Sequence, residues 1–222
     1  MADFILIAGA CHRAGVWRDV LAPLAALGHS AQAMSLHGDS LAQNVQAILA
    51  ACTAGAFLVG HSAGGFVAHG AALAQPDHVG GVIYLCAFIP QHSQSVAALR
   101  RAAPQDAIGP AIRRYGAHYG FDPDAAQPLF FHDCPNPAAH VAGLQLDPIA
   151  PMQSALPDLP NCVPRAAILC ENDRAIDIAY QAQMAADIQI QARLPCGHAP
   201  FFAMPDLLAQ QLDNLATKLR RV

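Results

Sequence analysis

Charge is scarce in this chain: 12 Lys and Arg with 16 Asp and Glu make up 13% of its 222 residues. The basic runs stop at the pairs Arg100–Arg101, Arg113–Arg114 and Arg220–Arg221. A nucleic-acid footprint needs clustered cations, so no nucleic-acid partner is expected. Unbroken apolar stretches fall short of the roughly 20 residues that cross a bilayer, and no membrane association is expected. The opening Met1-Ala2-Asp3 lacks the positive charge of a secretory leader, and residues 4–10 are too short for its apolar centre. Seven cysteines, an odd number with no CxxC pair, argue against a disulfide scaffold or zinc ribbon and fit a reducing cytoplasm. The 11 histidines show no HxxxH or HExxH spacing. Neither G-x-G-x-x-G nor a Gly-Lys-Ser/Thr phosphate loop occurs, so no nucleotide cofactor and no metal are expected.

Apolar residues are plentiful. At 54% hydrophobic, mean hydropathy +0.29 and net charge −4, the chain can bury a large core and does not resemble a disordered segment. Its length suits one domain with an insertion. Short apolar runs at 4–8, 32–36, 56–59 and 79–89 read as strands, and helical periodicity fills 16–27, 40–52 and 63–75. Ser40 is placed to cap the second of these helices. Regular alternation of strand and helix, with strands apolar on both faces, predicts a parallel sheet covered by helices.

The rhythm breaks after Pro90. Residues 91–164 are rich in Pro, Asp, Gln and His, with helical patches at 95–102, 107–120 and 138–144 and no strong strand signal. They read as a helical cap inserted after the fourth strand, leaving 1–90 and 165–222 as the core. Strand, helix and strand then return at 166–170, 175–186 and 188–194, and Pro205 opens a last helix. The count is about six parallel strands.

The most informative stretch is Gly60-His61-Ser62-Ala63-Gly64-Gly65. It satisfies G-x-S-x-G between a predicted strand and a predicted helix, the setting of a nucleophilic serine on a sharp turn. Such a turn needs side chains to vanish two residues before and after the serine, and Gly60 and Gly64 fill those places. The Ala63 N–H, first in the helix, points toward a developing oxyanion. Serine requires a base and the base an orienting acid, in the chain order Ser, Asp or Glu, His. Glu171 and Asp173 follow the strand at 166–170, and His198 follows the next one. Parallel strands bring these loops to one rim. Asp173 is favoured over Glu171 because it lies farther into the loop, although it could equally cap the following helix. The loop Ala8-Gly9-Ala10-Cys11-His12 supplies a second oxyanion donor, the Ala10 N–H. Cys11, His12, Phe88, Phe130, Phe131, His132, Leu146 and Phe201 are candidates for an apolar substrate pocket. Packing between cap and sheet is the equal alternative for the aromatic set, while a structural hydrogen bond is favoured for His12 and His132 and burial as a small apolar residue for Cys11.

These motifs, with Trp17, Glu171-Asn-Asp-Arg-Ala-Ile176 and Gly197-His-Ala-Pro-Phe-Phe202, resemble the α/β-hydrolase group of hydroxynitrile lyases and plant methylesterases, particularly its bacterial esterases. The resemblance covers nearly the whole chain, and Arg13-Ala14-Gly15 departs from the group's usual spacing. It implies an α/β-hydrolase fold, a triad of Ser62, Asp173 and His198, and hydrolysis of small carboxylic esters through an acyl-enzyme. In the lyases a threonine in the first loop and a lysine after the catalytic histidine handle cyanide. Here those places hold Gly9 and Ala199, which favours the esterase branch. The alternatives are a lyase or carbon–carbon hydrolase using the same triad, or a weakly catalytic small-ligand receptor on this scaffold. The expected partner is a small ester, and association into a homodimer is left open.

Overall fold

A computed structural model describes residues 1–91, 93–159 and 162–221. Six parallel strands form the central sheet: β1 (Asp3–Ile7), β2 (Ser30–Met34), β3 (Ala56–His61), β4 (Val79–Leu85), β8 (Arg165–Cys170) and β9 (Ile190–Leu194), in the order β2-β1-β3-β4-β8-β9. All six residues of β3 are buried, as a strand covered on both faces requires. Crossover helices α1 (Arg18–Ala26), α2 (Leu41–Ala51) and α3 (Ala63–Ala74) join the first four strands, and α8 (Ile178–Met184) joins the last two. Ser40 caps α2 as expected. Its side chain accepts the Gln43 N–H while Gln43 bonds back to the Ser40 N–H, a reciprocal box that satisfies two end donors. Trp17, Phe4, Phe66 and Tyr84 are among the largest fully buried side chains. The last helix, α9 (Pro205–Leu219), starts on its proline and buries Leu208, Leu212, Leu215 and Leu219 at helical spacing.

The fourth strand is shorter than the apolar run 79–89 suggests. Pairing with β8 ends at Leu85, and Cys86 turns away with φ 36°, so that the Phe88 N–H reaches the Ser62 carbonyl. Apolarity marks burial here, not sheet.

The insertion between β4 and β8 carries α4 (Val96–Ala102), α5 (Pro123–Phe130), α6 (Pro137–Ala142) and α7 (Ile149–Gln153). The helix expected over 107–120 is absent. Those residues form a hairpin of β5 (Ile112–Tyr115) and β6 (His118–Phe121), extended by β7 (Asp147–Pro148) into an antiparallel three-stranded sheet. Gly116, at φ 61°, sits first in the two-residue turn, where a positive φ is needed. That turn chemistry overrides the weak helical pattern of its surroundings.

Candidate active site

β1 and β3 are neighbours in the sheet, yet β1 leads outward to β2 on its other side. The carboxyl ends of β1 and β3 therefore flank the point where strand order reverses, the crevice in which open α/β sheets bind ligands. Ser62 stands directly after β3 with φ 53°, a conformation that costs about 1–3 kcal/mol for a non-glycine residue. Surrounding structure enforces it. The Ser62 N–H donates to the Leu85 carbonyl, and the Ser62 carbonyl accepts from Gly65 and Phe88 N–H groups. A Cβ on Gly60 would stand 2.4 Å from the Gly65 Cα, and one on Gly64 2.7 Å from the Ala8 carbonyl oxygen. The two glycines let strand, helix and first loop meet at this serine.

Asp173 follows β8 and His198 follows β9, and His198 Nδ1 lies 2.8 Å from Asp173 Oδ2. Against a carboxylate, Nδ1 carries the proton, leaving Nε2 as the basic nitrogen. Ser62 and His198 both border one cavity. Asp173 Oδ1 also accepts the Ala175 and Ile176 N–H groups at 2.7 and 3.0 Å, and Gln181 Nε2 donates to Oδ2 at 3.0 Å. These bonds hold the carboxylate in a single orientation while it is almost wholly buried. The helix-capping alternative falls to another residue: Asp177 caps α8. Glu171 is exposed, 3.8 Å from Arg193, and His198 bonds Asp173 instead.

Three residues absent from the expected set hold this arrangement. Gln181 bridges Asp173 to the Cys170 and Ile176 carbonyls. His61 Nε2 lies 2.8 Å from the carbonyl oxygen of His198, and the two rings stand 4.7 Å apart. Burial beside His198 and His12 drives the His61 pKa well below its usual value, so the ring is neutral and donates through Nε2. Asp147 is the third. One of its oxygens accepts the Cys11 N–H, and the other pairs with Arg13 at 2.8 Å. Arg13 also donates to Gln145 and to the Leu146 carbonyl. The atypical Arg13 thus fastens the loop after β1 to the insertion, and Cys11 takes φ 61° within that clasp. Burial raises the Cys11 thiol pKa, so it is a protonated packing group and not a rival nucleophile.

His61, Cys86 and His198 also bring three ligand-type atoms within 4.8 Å of one another, the group of that kind among the described residues. Burial raises the Cys86 pKa to about 11, and its thiol lies 3.5 Å from the His198 carbonyl oxygen. A neutral thiol and two imidazoles make a poor cation site, and His198 is already committed to Asp173.

The cavity above Ser62 measures about 240 Å³. Its core side consists of Ala10, His12, Ser62, Ala63, Phe88 and His198, and the insertion covers it with residues of α4, β5, β6, α5 and α7. Both expected oxyanion donors therefore belong to residues bordering the cavity. Of the candidate pocket residues, His12, Phe88 and Phe130 line it, and the other five do not. Cys11 is sealed beneath by its bonds to Asp147 and Tyr119. Phe131 and Phe201 are wholly buried around His12, and Leu146 is 47% exposed on the outside. His132 packs near Gly197, where an added Cβ would stand 2.5 Å from its ring. Aromatic type alone does not distinguish wall from core, whereas the insertion's fold does. Tyr119, Phe121, Ile149 and Met152 supply walls that no motif marked. The His12 Nε2 atom is buried with no hydrogen-bond partner among the described residues, and His12 borders the cavity.

The profile of the Alpha/beta hydrolase family matches residues 4–211. The chain belongs to the α/β-hydrolase family. Among curated relatives, this hydrolase is 28% identical to a pyrethroid hydrolase of Sphingobium wenxiniae over 97% of its own length and 88% of the relative's. It is 25% identical to Methylesterase 7 of Arabidopsis thaliana over 97% and 96% of the two chains. Among solved structures, a pyrethroid hydrolase from Sphingobium faniae JZ-2 superposes with a TM-score of 0.85 at 24% identity, covering 100% of this chain and 99% of that one. The hydrolase thus shares the fold of that structure, and among its described residues no helix is long and apolar enough to cross a membrane.

Proposed function

We propose that this chain is a serine esterase that cleaves small carboxylic esters through an acyl-enzyme. The coarser statement, an esterase-type hydrolase of the α/β-hydrolase fold, follows from its family and from relatives named as a pyrethroid hydrolase and a methylesterase. The observation that carries the finer reading is the bond from His198 Nδ1 to the buried Asp173, beside a cavity that His198 shares with the strained Ser62.

His198 Nε2 takes the Ser62 proton as Oγ attacks the ester carbonyl carbon. The negative charge on the carbonyl oxygen falls between the Ala63 and Ala10 N–H groups. A donor of this kind is worth about 10²–10³ in rate. The Ala63 N–H is available because the first amides of a helix have no acceptor within it. Asp173 holds the imidazole in the tautomer that leaves Nε2 basic and stabilises the imidazolium once it forms. The imidazolium then protonates the leaving alkoxide, so the alcohol departs and an acyl-Ser62 ester remains. Water enters, loses a proton to His198 and attacks the acyl carbon, and the acid leaves as Ser62 regains its hydroxyl. Nothing in this cycle draws on a redox cofactor.

A panel of esters in which acyl and alcohol parts are varied separately tests this reading. Steady release of acid and alcohol from small esters is expected. Cyanide release from a cyanohydrin, with no ester cleaved, would instead select the lyase chemistry.

A further inference from the structure

We infer that the preferred substrate is an ester carrying a carboxylate at the end of its acyl chain remote from the scissile bond. The inference rests on the esterase reading above and specifies its substrate. Arg100, Arg101 and Arg114 all line the cavity that contains Ser62 and His198, and among the described residues no Asp or Glu lines it. Three of the chain's 12 cationic residues therefore face this one cavity in a protein whose net charge is −4. Arg100 is committed to Asp106 by an ion pair. Arg101 and Arg114 have no carboxylate within ion-pair reach among the described residues, and Arg114 spends only its Nε, on the Gly116 carbonyl.

Their position in the fold sets the geometry of the ligand. Ser62 and His198 are nearly inaccessible on the core side, whereas Arg101 on α4 and Arg114 on β5 are exposed, on the insertion. Ile108, Ile112, Phe121 and Met152 supply apolar wall to the same cavity. A molecule that fills it presents its ester to the buried end, an apolar stretch to the walls and an anion to the two uncommitted guanidiniums. Guanidinium pairs planar oxyanions through two parallel N–H bonds, which suits a carboxylate. A neutral ester of the same length leaves both cations unpartnered in the complex.

The experiment compares methyl monoesters of dicarboxylic acids, from succinate to suberate, with methyl esters of the monocarboxylic acids of equal chain length. At low ionic strength one half-ester is expected to exceed its neutral counterpart in kcat/KM by about tenfold, the sum of two partly exposed ion pairs. The excess shrinks as salt is added, through screening. In the double variant Arg101→Gln/Arg114→Gln the ratio of half-ester to neutral ester falls toward one, and the rise appears in KM for the half-ester. If neutral esters are cleaved but half-esters are never preferred, or the ratio survives in the double variant, this inference fails while the esterase reading stands. If no ester of either kind is cleaved, both fall. A terminal phosphonate in place of the carboxylate is a control for planarity, and a preference for it over the carboxylate would overturn the assignment of the anion.

Discussion

Replacing Ser62 with Ala is expected to lower kcat on a small chromogenic ester by about 10⁴–10⁶-fold, with the melting curve unchanged. Rate and stability separate here because the turn is held by the backbone of Ser62. Its N–H and carbonyl make the three bonds to Leu85, Gly65 and Phe88, and alanine retains all three. Alanine meets the same φ of 53° with a Cβ of its own, so the strain is not altered. What disappears is the oxygen that attacks. The oxyanion donors and the cavity persist, and the residual rate above that of water measures what they do alone. Wild-type turnover in a folded Ser62→Ala protein would remove the serine from the chemistry. An equal loss of activity and of folded protein would instead show Oγ to be structural.

The second large effect is in stability against acid. His12, His61 and His69 are buried, and burial lowers the pKa of all three, to about 4 for His12 and His69 and well below its usual value for His61. In the unfolded chain each binds a proton near pH 6.5. Between pH 6.5 and about 4 the unfolded state therefore holds more protons than the folded one, and stability decreases as pH falls through that window. His12 and His69 each account for about 3 kcal/mol across it, and near pH 5.5 the three together steepen the dependence to about 4 kcal/mol per pH unit. A loss of that size approaches the whole stability of an ordinary domain. Urea titrations at pH 7.5, 6.5 and 5.5 are expected to show midpoints falling steeply below pH 6.5. His69→Gln, which keeps a polar partner for the Tyr84 hydroxyl, is expected to flatten that slope by about a third. A midpoint constant from pH 7.5 to 5.5 would mean these rings take up protons in the folded state.

The features most legible in the sequence are those whose constraints are local. Gly60, Ser62 and Gly64 lie within five residues, and each glycine is demanded by a backbone approach that no side chain permits, so the turn can be read without knowing what packs around it. The strand-helix alternation is equally local, and it sets the rim on which Asp173 and His198 fall. What escaped reading depends on contacts far along the chain. Asp147 meets the Cys11 N–H from 136 residues away, and His61 meets the His198 carbonyl from 137. Gln181 is an ordinary polar helix position until Asp173 folds against it. The β5–β6 hairpin carried one local signal, Gly116 as the first turn residue, but four-residue strands give too short a pattern to outweigh the alanine and glycine around them. The cavity walls were the least legible, because they belong to that insertion and not to any motif.

Peptide mapping by tandem mass spectrometry after treatment with a fluorophosphonate at neutral pH tests the central claim most directly. The reagent reports a serine whose oxygen is both activated and open to a cavity. A single phosphonate on Ser62, formed in step with loss of ester turnover, is the predicted result. An unmodified Ser62 in a protein that still cleaves esters would contradict the account.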